Sequence, residues 1–532
     1  MTDSSSSQSD TTSSPGEDSS LSVTNISGGI ELDAQRDVNI GGDVVGRDKV
    51  ENIAGDKVAG DKIVEQELIA TGGTVIQIGK LNVPLAPFIA ALGVGLAVLI
   101  FIGFSVSSIG QQLRPTPTPG AMSSANFNVV VAGFGEIGQD GQVRATEQSR
   151  ALSQSVYETL SAQRDAFPDP IIKSSIALRH GQLPLPDDLV RSEADAEQVV
   201  ISLGADMLIY GNLEPNGNFI PQFYVSPRVR GEIDPLLTGN QNVGLINFAP
   251  GASFDASTDL RTRASALFFI ATGLTYDVFG RASRALEVYR QAEQTLRDWP
   301  EQGAGKEILY FFKGQAALFR SQQTTGQESA DLLNEAEEAF RRAIASHPAY
   351  ARAHIGLGGA NYVRLQRAPV ISETLGSPEM QTMLDEYSVA PELARQAGDR
   401  LAEEVGIYSQ GLAAFQTGLA RRFSDAPAAE ASFNQAIDLV SSTLEPFNVL
   451  KQPRLEAQAQ LALGAIYKQR GDTLIERGDR SGGRAAYEQS QKAYQACVAL
   501  AQDSTDRILI DLIAQTRCRP QLDRLNQILA AP

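Results

Sequence analysis

The stretch ASALFFIATGLTYDVFGRASRALEVYRQAEQTL, residues 264–296, decides the architecture of the C-terminal half of the chain. Small and aromatic residues recur in it at offsets of 0, 3, 7, 12, 16 and 19, and these are Gly273, Tyr276, Gly280, Ala285, Tyr289 and Ala292. This spacing lets two antiparallel helices approach closely at a small residue while an aromatic residue fills the remaining gap. The stretch therefore predicts one helical hairpin of a repeat array.

Further copies of the pattern follow along the chain. Equivalent positions hold Gly314, Ala336, Phe340, Ala343 and Pro348 in a second copy, Leu357 and Gly358 in a third, Ala429, Phe433 and Ala436 in a fourth, and Leu463, Gly464, Tyr467 and Gly471 in a fifth. The third copy departs from the pattern after its first helix and is interpreted as carrying an insertion to about residue 390.

These offsets resemble those of the tetratricopeptide repeat. The resemblance implies an all-α solenoid over 258–502, with capping helices over 503–532. It also implies a concave groove that takes a protein or peptide partner. The alternative is a scaffold whose groove is filled by its own insertions.

A small α/β domain is predicted over 124–250, because strand-like and helix-like segments alternate there. Three of its segments resemble the TolB-like amino-terminal domain of bacterial envelope and signalling proteins: FNVVVAGFGE (127–136), TEQSRALSQSVYETLSAQ (146–163) and GADMLIYGNLEPNGNFIPQFYV (204–225). The segment RHGQLPLPDD (179–188) departs from that family's pattern. The resemblance implies a binding or docking module without catalysis.

Two glycine motifs superficially indicate nucleotide binding. VVVAGFGEIG (129–138) contains GxGxxG, but the turn QDGQ (139–142) follows where a dinucleotide site needs the N-terminus of a helix. EQGAGKE (301–307) lacks both the leading glycine and the Ser or Thr of a phosphate loop. Both motifs are interpreted as turns, and no cofactor is predicted.

Composition argues against several classes of function. The 532 residues include 45 Lys and Arg against 63 Asp and Glu, and the formal net charge of −18 predicts no nucleic-acid partner. The three histidines, His180, His347 and His354, are too few to indicate a metal site or acid–base catalysis, so no enzyme is predicted. Cys497 and Cys518 lie on successive predicted helices, and they form either one disulfide or two buried thiols.

The N-terminal part of the chain divides into four segments. The polar residues 1–24 are predicted to be disordered, and the Gly-Asp pattern of 25–82 predicts short β-repeats. The uncharged run LAPFIAALGVGLAVLIFIGFSV (85–106) predicts a transmembrane helix over 84–108. A Pro/Thr linker follows at 109–123.

The predicted fold class is therefore multidomain, with a disordered and β-repeat arm, one transmembrane helix, a small α/β domain and an all-α tetratricopeptide solenoid. The predicted localisation is the cell membrane, single-pass, with a cytoplasmic N-terminus and extracytoplasmic C-terminal domains. The predicted function is a membrane-anchored scaffold or adaptor for protein–protein interaction. The alternative is a single-pass membrane sensor whose α/β domain binds a small ligand and signals across the membrane.

Overall fold

The fold is described from a computed structural model of the chain. The residues that it describes are 120–123, 126–227, 233–248, 254, 257–299, 305–368, 370–502 and 504–530. Within them a small mixed α/β region, residues 127–247, precedes a helical body that begins at Thr258.

The α/β region contains ten short strands and three helices among the described residues. The strands are β1 (Phe127–Val131), β2 (Gly135–Ile137), β3 (Val143–Arg144), β4 (Ile176–His180), β5 (Met207–Tyr210), β6 (Asn212–Leu213), β7 (Asn218–Phe219), β8 (Gln222–Val225), β9 (Gly239–Asn242) and β10 (Ile246–Asn247). The helices are α1 (Glu147–Ala166), α2 (Pro170–Ser175) and α3 (Glu193–Leu203). One sheet has the order β4-β1-β5-β8-β9 and the other the order β10-β7-β6-β2-β3.

The first sheet is mixed, since β1 is parallel to β4 and β5 whereas β8 is antiparallel to β5 and β9. Its two faces are covered by different helices. Val129 packs in one core with Leu152 of α1, and Val130 packs in another with Val199 of α3. Successive side chains of a strand point to opposite faces of the sheet. Because both faces of β1 are covered, all but one of the residues in its sequence, FNVVV, are apolar.

The glycine motif at 129–138 leads from β1 into a second strand. Strand β2 begins at Gly135, and the next helix, α1, begins at Glu147 after Thr146 caps it. The Thr146 hydroxyl accepts a hydrogen bond from the backbone N–H of Ser149 at 3.1 Å, which satisfies one of the free donors at the helix start. A helix N-terminus therefore lies well beyond the motif.

The helical body consists of helices that pair as antiparallel hairpins. Its elements are α4 (Thr258–Val278), α5 (Ala282–Thr295), α6 (Lys306–Gln323), α7 (Gly326–Ser346), α8 (Ala351–Gln366), α9 (Pro378–Ala397), α10 (Arg400–Arg421), α11 (Ala426–Ser442), α12 (Leu444–Val449), α13 (Pro453–Glu476), α14 (Arg480–Leu500), a π-helix (Ile508–Cys518) and α15 (Arg519–Ala530). The hairpins are α4–α5, α6–α7, α8–α9, α10–α11 and α13–α14, and this body is repeat-like.

The same contact recurs in all five hairpins, where a glycine of the first helix lies against an aromatic ring of the second. The pairs are Gly273 with Tyr289, Gly314 with Phe340, Gly358 with Tyr387, Gly418 with Phe433, and Gly464 with Tyr494. A Cβ atom at any of these glycines would lie within 2.6 Å of its ring. The third hairpin includes α9, which occupies much of the stretch that the sequence pattern suggests is an insertion.

The prediction of a membrane anchor is corrected, both in the fold class and in the localisation. No helix among the described residues is long and apolar enough to cross a membrane. The long helices α4 and α8 bury their apolar side chains against other helices. The predicted span at 84–108 and the segments 1–24 and 25–82 lie outside the described residues. The corrected fold class is a small mixed α/β region followed by a repeat-like helical body.

Candidate functional site

The α/β region is held against the helical body by Arg352, near the start of α8. This side chain is 2% exposed. Its guanidinium donates to the carbonyl oxygens of Leu236 and Thr238 at 2.5 and 2.8 Å, and to both carboxylate oxygens of Asp399 at 2.6 and 3.2 Å. Burial opposes the charge, but the Asp399 carboxylate holds the pKa of Arg352 above its usual value. A charged clamp therefore joins the two regions.

Further contacts between the two regions follow the helical body from its first hairpin to its fifth. They include Tyr276 with Asp169, Gly305 with Val243, Tyr350 with Gln241, and Arg454 with Ile233. Gly305 has a φ of 83°, and a Cβ there would lie 2.1 Å from the Val243 carbonyl carbon. The helical body thus holds the α/β region at several points along its length.

The first helices of the hairpins form an inner layer. Fourteen of the sixteen residues of α8 are buried, including the polar residues Arg352, His354 and Asn361. A helix buried on all sides cannot present an open binding face. Open surface therefore lies between the second helices of the hairpins.

A cleft of about 650 Å³ opens between α5 and α7, with α6 as its floor. We call it the cationic cleft, and its lining residues are Arg290, Glu293, Gln294, Arg297, Lys306, Lys313 and Arg342. Five cations and one carboxylate line it, which contrasts with the acidic balance of the whole chain.

Two carboxylates organise the cations of this cleft. Glu293 accepts a hydrogen bond from Lys313 at 2.7 Å and another from Arg342. Glu335, beside the cleft, accepts from Arg290 Nε at 2.8 Å and lies 3.6 Å from Lys313. Burial acts to raise the pKa of both carboxyl groups, but their hydrogen bonds to these cations hold each pKa below its usual value. Three cations and two carboxylates thus form one network of hydrogen bonds and ion pairs.

Two further cations line the cleft. Lys306 donates to the Trp299 carbonyl oxygen at 3.0 Å, and Arg297 faces solvent with 82% of its side chain exposed. Tyr310 of α6 positions Arg342 in two ways. The Arg342 guanidinium lies 4.2 Å from the centroid of the Tyr310 ring and donates a hydrogen bond to the Tyr310 hydroxyl at 2.5 Å. The Arg342 guanidinium is therefore held in place before any ligand arrives.

A second cleft, of about 460 Å³, adjoins the first at Arg342. Its lining residues are Asn334, Glu337, Glu338, Arg341, Arg342 and Ala345. Two carboxylates and two guanidiniums line it. Because Arg342 belongs to both clefts, they form one continuous charged surface.

The residues predicted from the repeat pattern pack between helices and share no member with the cationic cleft. Those that are buried are Gly273, Tyr276, Ala285, Tyr289, Ala292, Ala336, Phe340, Ala343, Leu357, Gly358 and Gly464. Tyr467 is half-buried against the core. Gly280 and Pro348 lie in exposed loops, where Gly280 has a φ of 67° and the Pro348 carbonyl accepts from His354.

The two cysteines form a disulfide. Cys497 on α14 and Cys518 at the end of the π-helix are both fully buried, with their Cα atoms 6.3 Å apart. The bond ties the second helix of the last hairpin to the C-terminal helices. In the part of the chain that the structure describes, no group of three or more His, Cys, Asp or Glu side chains could hold a metal ion.

The sequence analysis does not predict the cationic cleft, although the lining residues from 290 to 297 have a recognisable spacing. Arg290, Glu293, Gln294 and Arg297 fall at offsets of 0, 3, 4 and 7, which places the first three on one face of α5 and Arg297 just beyond its C-terminus. Such a stripe normally indicates a solvated helix face. The partners on α6 and α7 are 20 and 49 residues away from Glu293, so the pattern does not reveal them.

No protein-family model matches the chain, and no curated protein matches its sequence. Function is therefore inferred from the geometry of the described residues.

Proposed function

We propose that the protein is an interaction scaffold or adaptor whose helical body binds a protein or peptide partner. The observation that carries the proposal is the cationic cleft, an open surface on a repeat-like body in which four of the five cations are anchored by hydrogen bonds. Preorganised side chains lose little conformational entropy when a partner binds, which favours recognition. The resemblance to the tetratricopeptide repeat supports the same function, since such arrays bind peptides and partner helices.

The attachment of the α/β region supports a scaffold in particular. The Arg352 clamp and the contacts around it hold this region against the helical body. Its resemblance to a TolB-like docking module makes it a candidate second binding surface. A scaffold needs two binding surfaces at a fixed distance, because that distance sets the relative position of the two partners bound to it.

The proposal is tested by site-specific photo-crosslinking of the full chain in its native cells. A photoreactive residue replaces Gln294, which is exposed in the cationic cleft, and a matched variant carries it at Lys492, which is exposed on α14. We expect a discrete protein adduct from position 294 and none of the same mass from position 492. Equal adducts from both positions, or none from 294, would contradict the proposal.

A further inference from the structure

We infer that the turn between α7 and α8, residues 347–350, is a proton-sensitive latch that holds strand β9 of the α/β region on the helical body. Two of the three histidines of the chain lie here, His347 in the turn and His354 in the first turn of α8. The inference goes beyond the proposed function, because it concerns how the attachment of the α/β region is regulated and requires no partner.

Side chains at this turn contact β9 and the residues just before it. Tyr350, the last residue of the turn, donates from its hydroxyl to Gln241 Oε1 of β9 at 3.1 Å. Arg352 donates to the carbonyl oxygens of Leu236 and Thr238. Strand β9 is at the edge of its sheet, next to β8. An edge strand has neighbours in the sheet on one side only, so the position of the turn bears directly on how firmly β9 is held.

His347 joins the turn to α6. Its Nδ1 lies 3.4 Å from a carboxylate oxygen of Glu307, a side chain that is 8% exposed. The other carboxylate oxygen of Glu307 has no hydrogen-bond partner among the described residues. The ring of His347 also stacks on the ring of Tyr350, with the centroids 6.2 Å apart. Hydrogen bonding to Glu307 raises the pKa of His347 above the usual 6.5, although burial acts to lower it.

His354 joins the turn to α9. Its Nδ1 lies 2.5 Å from a carboxylate oxygen of Glu386, and its Nε2 lies 2.9 Å from the carbonyl oxygen of Pro348, inside the turn. Burial acts to lower the pKa of His354, but the two acceptors raise it above its usual value. The turn is thus held from α6 by one histidine and from α9 by the other.

Other titratable and charged groups surround the two histidines on the neighbouring elements. They are Glu193 of α3, Arg263 of α4, Glu307 of α6, Tyr350 and Arg352 at the turn, Glu386 of α9, and Asp399 before α10. Burial raises the pKa of Tyr350, so its hydroxyl remains a donor to Gln241. Of these residue types, histidine is the one whose ordinary pKa lies near neutral pH.

The direction of the response follows from the raised pKa of both histidines. A protonated ring beside a carboxylate stabilises the held turn, and this stabilisation is fully present below pH 6.5. It is lost as the pH rises through the higher pKa that each histidine has in the held state. Contacts such as that of Tyr276 with Asp169 involve no histidine, so the response is expected at β9 and not over the whole α/β region.

The test measures amide hydrogen exchange of the full chain by mass spectrometry between pH 6 and pH 9. Each rate is divided by the intrinsic rate at the same pH, because exchange itself accelerates with pH. We expect the protection of β9 to fall about tenfold, the change that a difference of about one pKa unit between the held and released turn produces. Helix α14 is the internal reference. Unchanged protection of β9, or equal losses in β9 and α14, would overturn the inference.

Histidine variants assign the response to the turn. His347→Gln combined with His354→Gln should give β9 at pH 6 the low protection that it has at pH 9, since glutamine carries no charge. His180→Gln is the matched control, because His180 lies against Ser153 and Tyr157 within the α/β region, and it should keep the native pH profile. A pH dependence that persists in the double variant, or that disappears in His180→Gln, would overturn the inference.

The single variant His347→Gln keeps the test decisive if circular dichroism shows that the double variant is unfolded. The side chain of His347 is 49% exposed, so we expect this variant to fold. The pH dependence of β9 protection should be weaker in it than in the native chain. An unchanged pH profile in His347→Gln would overturn the part of the latch that His347 forms with Glu307.

Discussion

The ring of Tyr289 occupies the space that a side chain at Gly273 would need: a Cβ atom at position 273 would lie 2.2 Å from the Tyr289 Cζ atom. This contact brings α4 and α5 together, and an equivalent one recurs in each hairpin. The glycine is needed for close approach and not for an unusual backbone conformation, because it lies within a regular helix.

Gly273→Ala is expected to destabilise the protein by about 1–3 kcal/mol, because the methyl group overpacks a rigid contact. Urea unfolding followed by circular dichroism measures the loss. Gln294→Ala, an exposed change in the same hairpin, serves as control and should stay within about 0.5 kcal/mol. Adding Tyr289→Leu to Gly273→Ala should recover part of the stability, because it removes the ring that the methyl group meets. Strictly additive losses in the double variant would show that the two residues are not coupled.

The buried hydroxyl of Tyr408 has no hydrogen-bond partner among the described residues. Tyr487 differs, since its hydroxyl donates to an Asp472 carboxylate oxygen at 2.7 Å. Tyr408→Phe is therefore expected to be neutral or stabilising. Tyr487→Phe is expected to cost about 1–3 kcal/mol, because Asp472 Oδ1 loses this donor, although Lys468 still donates to Oδ2. Urea unfolding of the two variants measures which of them loses more stability. The reverse order would mean that the Tyr408 hydroxyl has a partner in solution.

His354 is placed to carry a positive charge inside the α8–α9 hairpin. Its Nδ1 lies 2.5 Å from a Glu386 carboxylate oxygen and its Nε2 lies 2.9 Å from the Pro348 carbonyl oxygen. Both neighbours accept hydrogen bonds, so both ring nitrogens donate. Burial acts to lower the pKa of His354, but these acceptors raise it above the usual 6.5. The free energy by which charged His354 stabilises the folded state is therefore fully present below pH 6.5. It is lost as the pH rises through the higher pKa that His354 has in the folded state.

The difference in melting temperature between the native chain and His354→Gln should consequently shrink as the pH rises from 6 toward 9. Thermal unfolding at a series of pH values measures it. Titration of other groups, including His347 beside Glu307, affects both proteins and cancels in the difference. A difference that stays constant over this range would contradict the charged state of His354.

Loss of the Arg352 clamp is expected to loosen the α/β region. Arg352→Met leaves Asp399 without its partner and the Leu236 and Thr238 carbonyls without their donor, and breaking such a buried pair costs about 3–5 kcal/mol. The backbone amide hydrogens of β9 should therefore exchange faster in Arg352→Met than in the native chain. Arg395→Met, at an exposed arginine on α9, is the matched control and should leave that exchange unchanged. Unchanged exchange in Arg352→Met would show that other contacts hold the region alone.

The hairpin pattern could be read from the sequence because its contacts are local. Gly273 and Tyr289 lie sixteen residues apart, so their spacing alone indicates which side chains meet. The third hairpin was harder to predict. Tyr387 takes the aromatic position opposite Gly358, but α9 also contains Pro391, which normally interrupts a helix. The structure accommodates that proline against Gly406 of α10, a packing arrangement that no local pattern reveals.

By itself the sequence determined the spacing of Gly273 and Tyr289 in the first hairpin, because helix periodicity links residues a few turns apart, but it did not indicate that Tyr494 lies against Gly464 in the last. Only the tertiary structure decided that Glu293 would bridge Lys313 and Arg342, and that Arg352 would bind carbonyl groups more than a hundred residues away. Charged side chains are compatible with many surface positions, so their partners depend on which helix faces pack together. For this reason the cationic cleft and the clamp emerge only when the helices and the α/β region are assembled.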